Sequence, residues 1–271
     1  MRPVAAAALA TRAALALAAA GTLALGLPGC ATAPAQPEIR TASDMTDADR
    51  RARLRLELAA GYFGRGQLET ALDEIKLALA ARPDMPEALN LRGLIYASMG
   101  ELDLADQSFR RALQINPRDA DTLHNHGWFL CQQRRYAEAE ARFDAAIALP
   151  QYRQVPRTLL AKGLCQARDG RLRDAEATLT RSYEADPGNP AAAFNLGEVL
   201  YKLQEYERAR FYLRRVNAQE STSNAQTLWL AARIEHRLGN AAGVADLGAR
   251  LRERFPQSPE ALRYDRRAFD D

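Results

Sequence analysis

The side chains that carry most site chemistry are scarce in this chain. Its only cysteines are Cys30, Cys131 and Cys165, its only histidines His124, His126 and His236, and its only lysines Lys76, Lys162 and Lys202. A structural metal site needs three or four such ligands converging on one point, and so few, so spread, leave little to build one from. Acidic residues are missing altogether from Met1 to Gly29. Beyond that leader, with Arg2 and Arg12 removed, 35 basic residues stand against 34 acidic ones. No basic field remains to attract nucleic acid, so no nucleic-acid partner is expected. The shortage of lysine beside arginine reflects compositional bias rather than a ligand.

The leader also lacks a long hydrophobic run. Arg2 and Arg12 precede an Ala- and Leu-rich stretch, Ala13 to Leu27, that ends at "LPGC". A spanning helix needs about 20 apolar residues, whereas a charged start, a short apolar middle and a small-residue exit mark a secretory signal. Residues 1–29 are therefore expected to be a signal peptide. "LPGC" resembles the lipobox of bacterial lipoproteins, which implies lipidation at Cys30 and places it first in the mature chain. Pro28 departs from the usual small or hydroxyl residue there, which leaves a simple cleaved signal as the alternative. Two acyl chains hold a protein at a bilayer where one does not, and Ala31, in place of Asp, resembles lipoproteins sent to the outer membrane. The Ala-, Pro-, Thr- and Asp-rich segment that follows has no apolar periodicity, so residues 30–51 read as a lipidated flexible tether.

What is abundant is repetition. Ala71, Ala105, Ala139 and Ala175 recur at steps of 34, 34 and 36 residues, the period of a tetratricopeptide repeat. Pro83, Pro117 and Pro187 fall where a second helix has just ended and a proline sacrifices no internal hydrogen bond. The register gives six units, about 52–85, 86–119, 120–153, 156–189, 190–223 and 225–258, with a short capping tail. The expected fold is all-α: a right-handed superhelix of about six tetratricopeptide repeats over residues 52–271, with the first helix (A) of each unit lining a concave face. Gly93, Gly127, Gly163 and Gly197 should let each A helix approach its second helix (B) closely.

The segment "DTLHNHGWFLCQQRRYAEAE", residues 121–140, gathers two histidines, a tryptophan and a cysteine. A helix turns about 100° per residue, so His124 and His126 point apart, while His124 and Cys131 share a face about 10 Å apart along the axis. They cannot ligate one ion, and an array of helix pairs gives a Cys nucleophile neither a base nor an oxyanion pocket. No metal, cofactor or enzymatic activity is expected. Cys131 and Cys165 instead fall on adjacent A helices within disulfide reach, so an oxidising compartment would bridge them; two buried free thiols are the alternative.

Positions two, five, nine, twelve and thirteen of each A helix should face the groove. They place Leu56, Phe63, Asn90, Leu94, His124, Trp128, Leu160 and Leu164 along it as candidate contacts, and carry it on to Phe194, Tyr201, Trp229, Arg233 and His236. Exposed apolar strips mark partner sites, here for an extended or helical peptide, although superhelical curvature could bury part of this one.

"LHNHGWFLCQQRRYAEAEARFDAAIALPQY", "KGLCQARDGRLRDAEATL" and "LWLAARIEHRLGN" followed by "RFPQSPEA" resemble the type IV pilus biogenesis/stability lipoproteins (PilW/PilF), the pilotins of the pilus secretin. The resemblance spans nearly the whole mature chain, and His126 departs from it where an aromatic or Asn is expected. It implies a lipoprotein on the periplasmic face of the outer membrane whose partner is the pilus secretin subunit, carried to that membrane and assembled there into its multimer; the chain itself is expected to be a monomer. A lipid-anchored scaffold for β-barrel assembly or polysaccharide export is the alternative.

Overall fold

The structure is a computed structural model that describes residues 46–269; the expected signal peptide, Cys30 and most of the expected tether lie outside the described residues. Six antiparallel helix pairs follow one another: α1 (Asp47–Gly64) with α2 (Leu68–Ala81), α3 (Pro86–Met99) with α4 (Leu102–Ile115), α5 (Ala120–Gln132) with α6 (Tyr136–Ile147), α7 (Val155–Arg168) with α8 (Leu172–Ala185), α9 (Pro190–Lys202) with α10 (Tyr206–Asn217), and α11 (Ala225–Arg237) with α12 (Ala241–Arg254). A shorter helix, α13 (Pro259–Asp265), closes the series. The first helix begins five residues before the expected boundary at 52. Thr46 and Asp49 form a capping box, in which each side chain accepts a hydrogen bond from the other's backbone N–H, and that supplies a start signal which the missing apolar periodicity hid.

The turn between the two helices of every unit contains one residue in the left-handed region: Gly66, Gly100, Arg134, Gly170, Gln204 and Gly239. Glycine takes that conformation freely, whereas Arg134 and Gln204 do so against a steric cost of about 1 kcal/mol. The turn is thus set by the array, and the local residue follows.

Close approach of the paired helices rests on the expected glycines. A Cβ on Gly93 would lie 2.7 Å from the Phe109 ring, one on Gly127 2.8 Å from Phe143, one on Gly163 2.6 Å from Leu179 and one on Gly197 2.1 Å from Leu213. Each of these B-helix side chains, sixteen residues on, is fully buried. In the last unit the sizes invert. Ala232 takes the glycine's place and Gly248 that of the large residue, and a Cβ on Gly248 would stand 1.8 Å from Tyr264 Cζ. The small residue has moved to α12 because the capping helix α13 packs there.

Stacking follows from contacts between units. Each A helix touches the next A helix and each B helix packs on the A helix of the following unit, whereas among the described residues successive B helices stand further apart and meet through long side chains, as Tyr183 does with Tyr212. The A layer is the tighter of the two, which makes it the concave layer of the superhelix. A polar clasp recurs at these junctions, on the residue just after the periodic alanine. Asp106 meets His126 and Arg135, Glu140 meets Lys162 and Arg171, and Glu176 meets Arg208. At the last junction the charges are reversed, with Arg210 on Glu235. Burial raises the Asp106 carboxyl, but hydrogen bonds from His126 and Arg135 outweigh it and hold the group below the usual carboxylate range. Among the described residues no helix is long and apolar enough to cross a membrane.

Candidate functional site

The candidate groove residues fall into two sets. Leu56, Phe63, Asn90, Leu94, Trp128, Leu160 and Leu164 are half-buried, whereas His124 is only 6% exposed. Position five leans toward the neighbouring A helix: Leu56, Asn90 and Leu160 there stay half-buried, and His124 is covered by it. Asn90 Oδ1 accepts from Asn125 Nδ2 at 3.2 Å. His124 Nδ1 lies 2.8 Å from Thr158 Oγ1, and the Tyr152 hydroxyl meets the same oxygen at 2.7 Å. His124 is therefore a buried contact between α5 and α7 and no part of the groove wall, because adjacent A helices touch where the register alone shows an open face. Burial, and next the Arg157 charge, push its imidazole down to about 4, so it is neutral at pH 7.

Tyr152 belongs to the seven-residue connection between α6 and α7, where the two extra residues of the period sit. With Leu149 it packs on Leu113, Leu123 and Ala146, so the longer connection carries a small core of its own. Two helical turns beyond His124, α5 and α7 are joined again: Cys131 and Cys165 form a disulfide with their Cα atoms 5.8 Å apart.

Position nine makes the strip. Leu94 packs against both the first-unit and the third-unit clusters, and Trp128 borders the latter. The Arg168 guanidinium, from the next A helix, lies 4.7 Å from the centroid of the Trp128 ring. The same pairing recurs further along, where Arg233 stands 4.8 Å over the Tyr201 ring and Arg237 Nε reaches the Tyr201 hydroxyl at 3.4 Å. Such a wall offers apolar and aromatic surface for side chains, with guanidinium donors beside it for carbonyl or carboxylate oxygens. It suits an extended protein segment. The sequence places Arg233 on this face but does not show the stacking; at Trp128 the signal for it is Arg168, one turn beyond the ring's level on the following A helix.

His126 sits on the other side of α5. It is 1% exposed, stacks on Phe109 with centroids 5.4 Å apart, and its Nε2 lies 2.8 Å from Asp106 Oδ1. Burial lowers its pKa against the opposing pull of Asp106, and Nδ1 is buried with no hydrogen-bond partner. Among the described residues no group of three or more His, Cys, Asp or Glu side chains could hold a metal ion.

Comparison with known proteins agrees with this geometry. Tetratricopeptide-repeat models match residues 86–119, 126–190 and 166–234. The type IV pilus assembly protein PilF of Pseudomonas aeruginosa is 31% identical over 238 residues, 88% of this chain and 93% of that protein. The crystal structure of PilW, a widely conserved type IV pilus biogenesis factor, superposes with a TM-score of 0.72 at 33% identity, covering 78% of this chain and 96% of the other. A structure of Pseudomonas aeruginosa PilF gives 0.72 at 28% identity, covering 82% and 100%. YrrB, a repeat protein described as having an unusual peptide-binding site, shares the fold alone, at 16% identity and a TM-score of 0.56. The chain belongs to the PilF/PilW family of tetratricopeptide-repeat proteins of type IV pilus biogenesis.

Proposed function

We propose that the protein is a pilotin: an outer-membrane lipoprotein that binds type IV pilus secretin subunits through its A-helix strip, brings them to the outer membrane and promotes their assembly into the multimer. The observation that carries this reading is the likeness to a pilus assembly protein over 88% of the chain, on a fold whose position-nine residues form a strip for a protein segment. "LPGC" supplies the anchor, with Cys30 as the lipidated residue on the periplasmic face. Physically the device is one of local concentration. A lipid anchor, a tether and a rigid scaffold raise the effective concentration of a client beside the membrane without any tighter contact. The role asks for no catalysis and no cofactor, only binding and release.

The test is genetic. Deleting the gene is expected to abolish the heat-resistant secretin multimer on gels and leave monomer, with wild type restoring it and Cys30→Ala failing to. Normal multimers in the deletion strain would reject the pilotin reading. Full rescue by Cys30→Ala would reject the membrane anchor as part of it.

A further inference from the structure

The last A helix carries at its strip positions Trp229 (five), Arg233 (nine) and His236 (twelve), and these three side chains are already occupied. The Phe269 ring stacks on Trp229 with centroids 5.3 Å apart and on His236 at 4.5 Å, and its backbone carbonyl accepts a hydrogen bond from Arg233 Nε at 3.1 Å. Only 7% of Phe269 is exposed.

The tail reaches this place through a shortened repeat. In the second to sixth units the left-handed residue stands fourteen or fifteen positions after the A helix begins; in α13 it comes eight residues after Pro259, at Arg267, with φ 56°. The turn is otherwise of the same kind, with Arg267 N–H donating to Tyr264 O and Ala268 N–H to Arg263 O, the Schellman pattern with arginine where glycine is favoured. Phe269 therefore holds the register of Leu68, Leu102, Tyr136, Leu172 and Tyr206, the residues that open B helices. No B helix follows it among the described residues. The helix has further anchors of its own, Tyr264 packed against Gly248 and Arg252 paired with Asp265, although the Tyr264 ring also meets Phe269 edge-on at 5.9 Å.

The site does not end at the tail. A cleft of ≈ 430 Å³ shares Trp229 and Arg233 and continues to Phe194 and Glu198, the strip positions of the fifth unit. A ring held between an indole and an imidazole, with its own carbonyl read by a guanidinium, is how a peptide ligand is held. We propose that Trp229, Arg233 and His236 form a binding site for an aromatic side chain on an extended protein segment, that the chain's own residues 266–269 occupy it as an intramolecular ligand, and that a partner segment bearing an aromatic residue takes their place and runs on through the cleft to Phe194. The site asks of its partner only an aromatic residue on an extended segment, whichever protein supplies it. Because a tethered ligand competes at high effective concentration, the tail sets a threshold that a weak or incorrect segment does not cross.

The experiment uses the full chain with Trp128→Phe, which leaves Trp229 as the sole tryptophan. Phe269→Ala in that background is expected to shift Trp229 emission to longer wavelength with unchanged helicity. A synthetic peptide of residues 262–271 should then bind saturably and reverse the shift. The same peptide with alanine at the Phe269 position should not, and the chain with Phe269 intact should bind the peptide at least tenfold more weakly. Arg233→Leu, added to the Phe269→Ala chain, should weaken the peptide at least tenfold. Loss of helicity in the Phe269→Ala chain would make the ring part of the core and overturn the proposal. So would a peptide that fails to bind, or that binds equally with Phe269 present. A wild-type dimer that the peptide dissociates would make the occupant the tail of a second copy, and overturn the intramolecular assignment.

Discussion

The third and sixth units use the same two register positions in opposite ways. In the third, positions five and twelve are His124 and Cys131, and both are taken up by the following A helix, one through Thr158 and the other through the disulfide to Cys165. In the sixth they are Trp229 and His236. No full A helix follows among the described residues, and the ring of Phe269 meets both instead. At position five His124 is thus consumed by the junction with the next unit, whereas Trp229, with no full A helix after it among the described residues, is met by the tail. The middle of the array is closed by a covalent bond and buried polar contacts. Its end is closed by a side chain that can leave.

That contrast can be broken first at the disulfide. Constraining a loop of 34 residues is worth about 3–4 kcal/mol in the chain-entropy picture. Cys131→Ser/Cys165→Ser is therefore expected to lower the urea midpoint by an amount of that order, and free-thiol counting in denaturant on the wild-type mature chain should find neither residue reactive.

Next comes His124, neutral in the fold with its pKa near 4 against an ordinary 6.5. The unfolded chain binds the extra proton more readily, so this contribution is complete above pH 6.5 and is lost as pH falls from there towards 4. Full desolvation of the ring would make the loss up to about 3 kcal/mol. Denaturant titrations at pH 7 and pH 4 measure it. His124→Gln should flatten the pH dependence in that window, and an unchanged slope would show the ring protonating freely.

Smaller still is the effect of filling the helix–helix contact. Gly93→Ala drives a methyl into the Phe109 ring and should cost about 2 kcal/mol by overpacking, read as a lower thermal midpoint. At the far end Phe269→Ala should cost less than about 1 kcal/mol of global stability, because a tail that opens by itself does not share the array's unfolding. If its effect equalled that of Gly93→Ala, the two regions would not differ in the way described.

The sequence showed the array plainly and its joints poorly. The alanine period and the four glycines gave unit boundaries that the helices follow to within a few residues, because helix pairing needs small residues at fixed steps. The left-handed turns at Arg134 and Gln204 carry no glycine to announce them. His124 looked like groove lining because register tells which direction a side chain takes, but not how near the next helix lies. The start of α1 depended on one capping pair, Thr46 and Asp49, inside a segment with the composition of a tether. The tail's occupation of the last unit was invisible, since a truncated repeat leaves no period to count.

The most direct test of the account is to measure binding of the secretin's periplasmic region to the full chain and to Leu94→Arg, a position-nine residue that is half-buried. The account expects saturable binding by wild type, weakened at least tenfold by the substitution, or more than about 1.4 kcal/mol, with circular dichroism unchanged. Unaltered binding by a folded Leu94→Arg chain, or no binding by wild type, would contradict it.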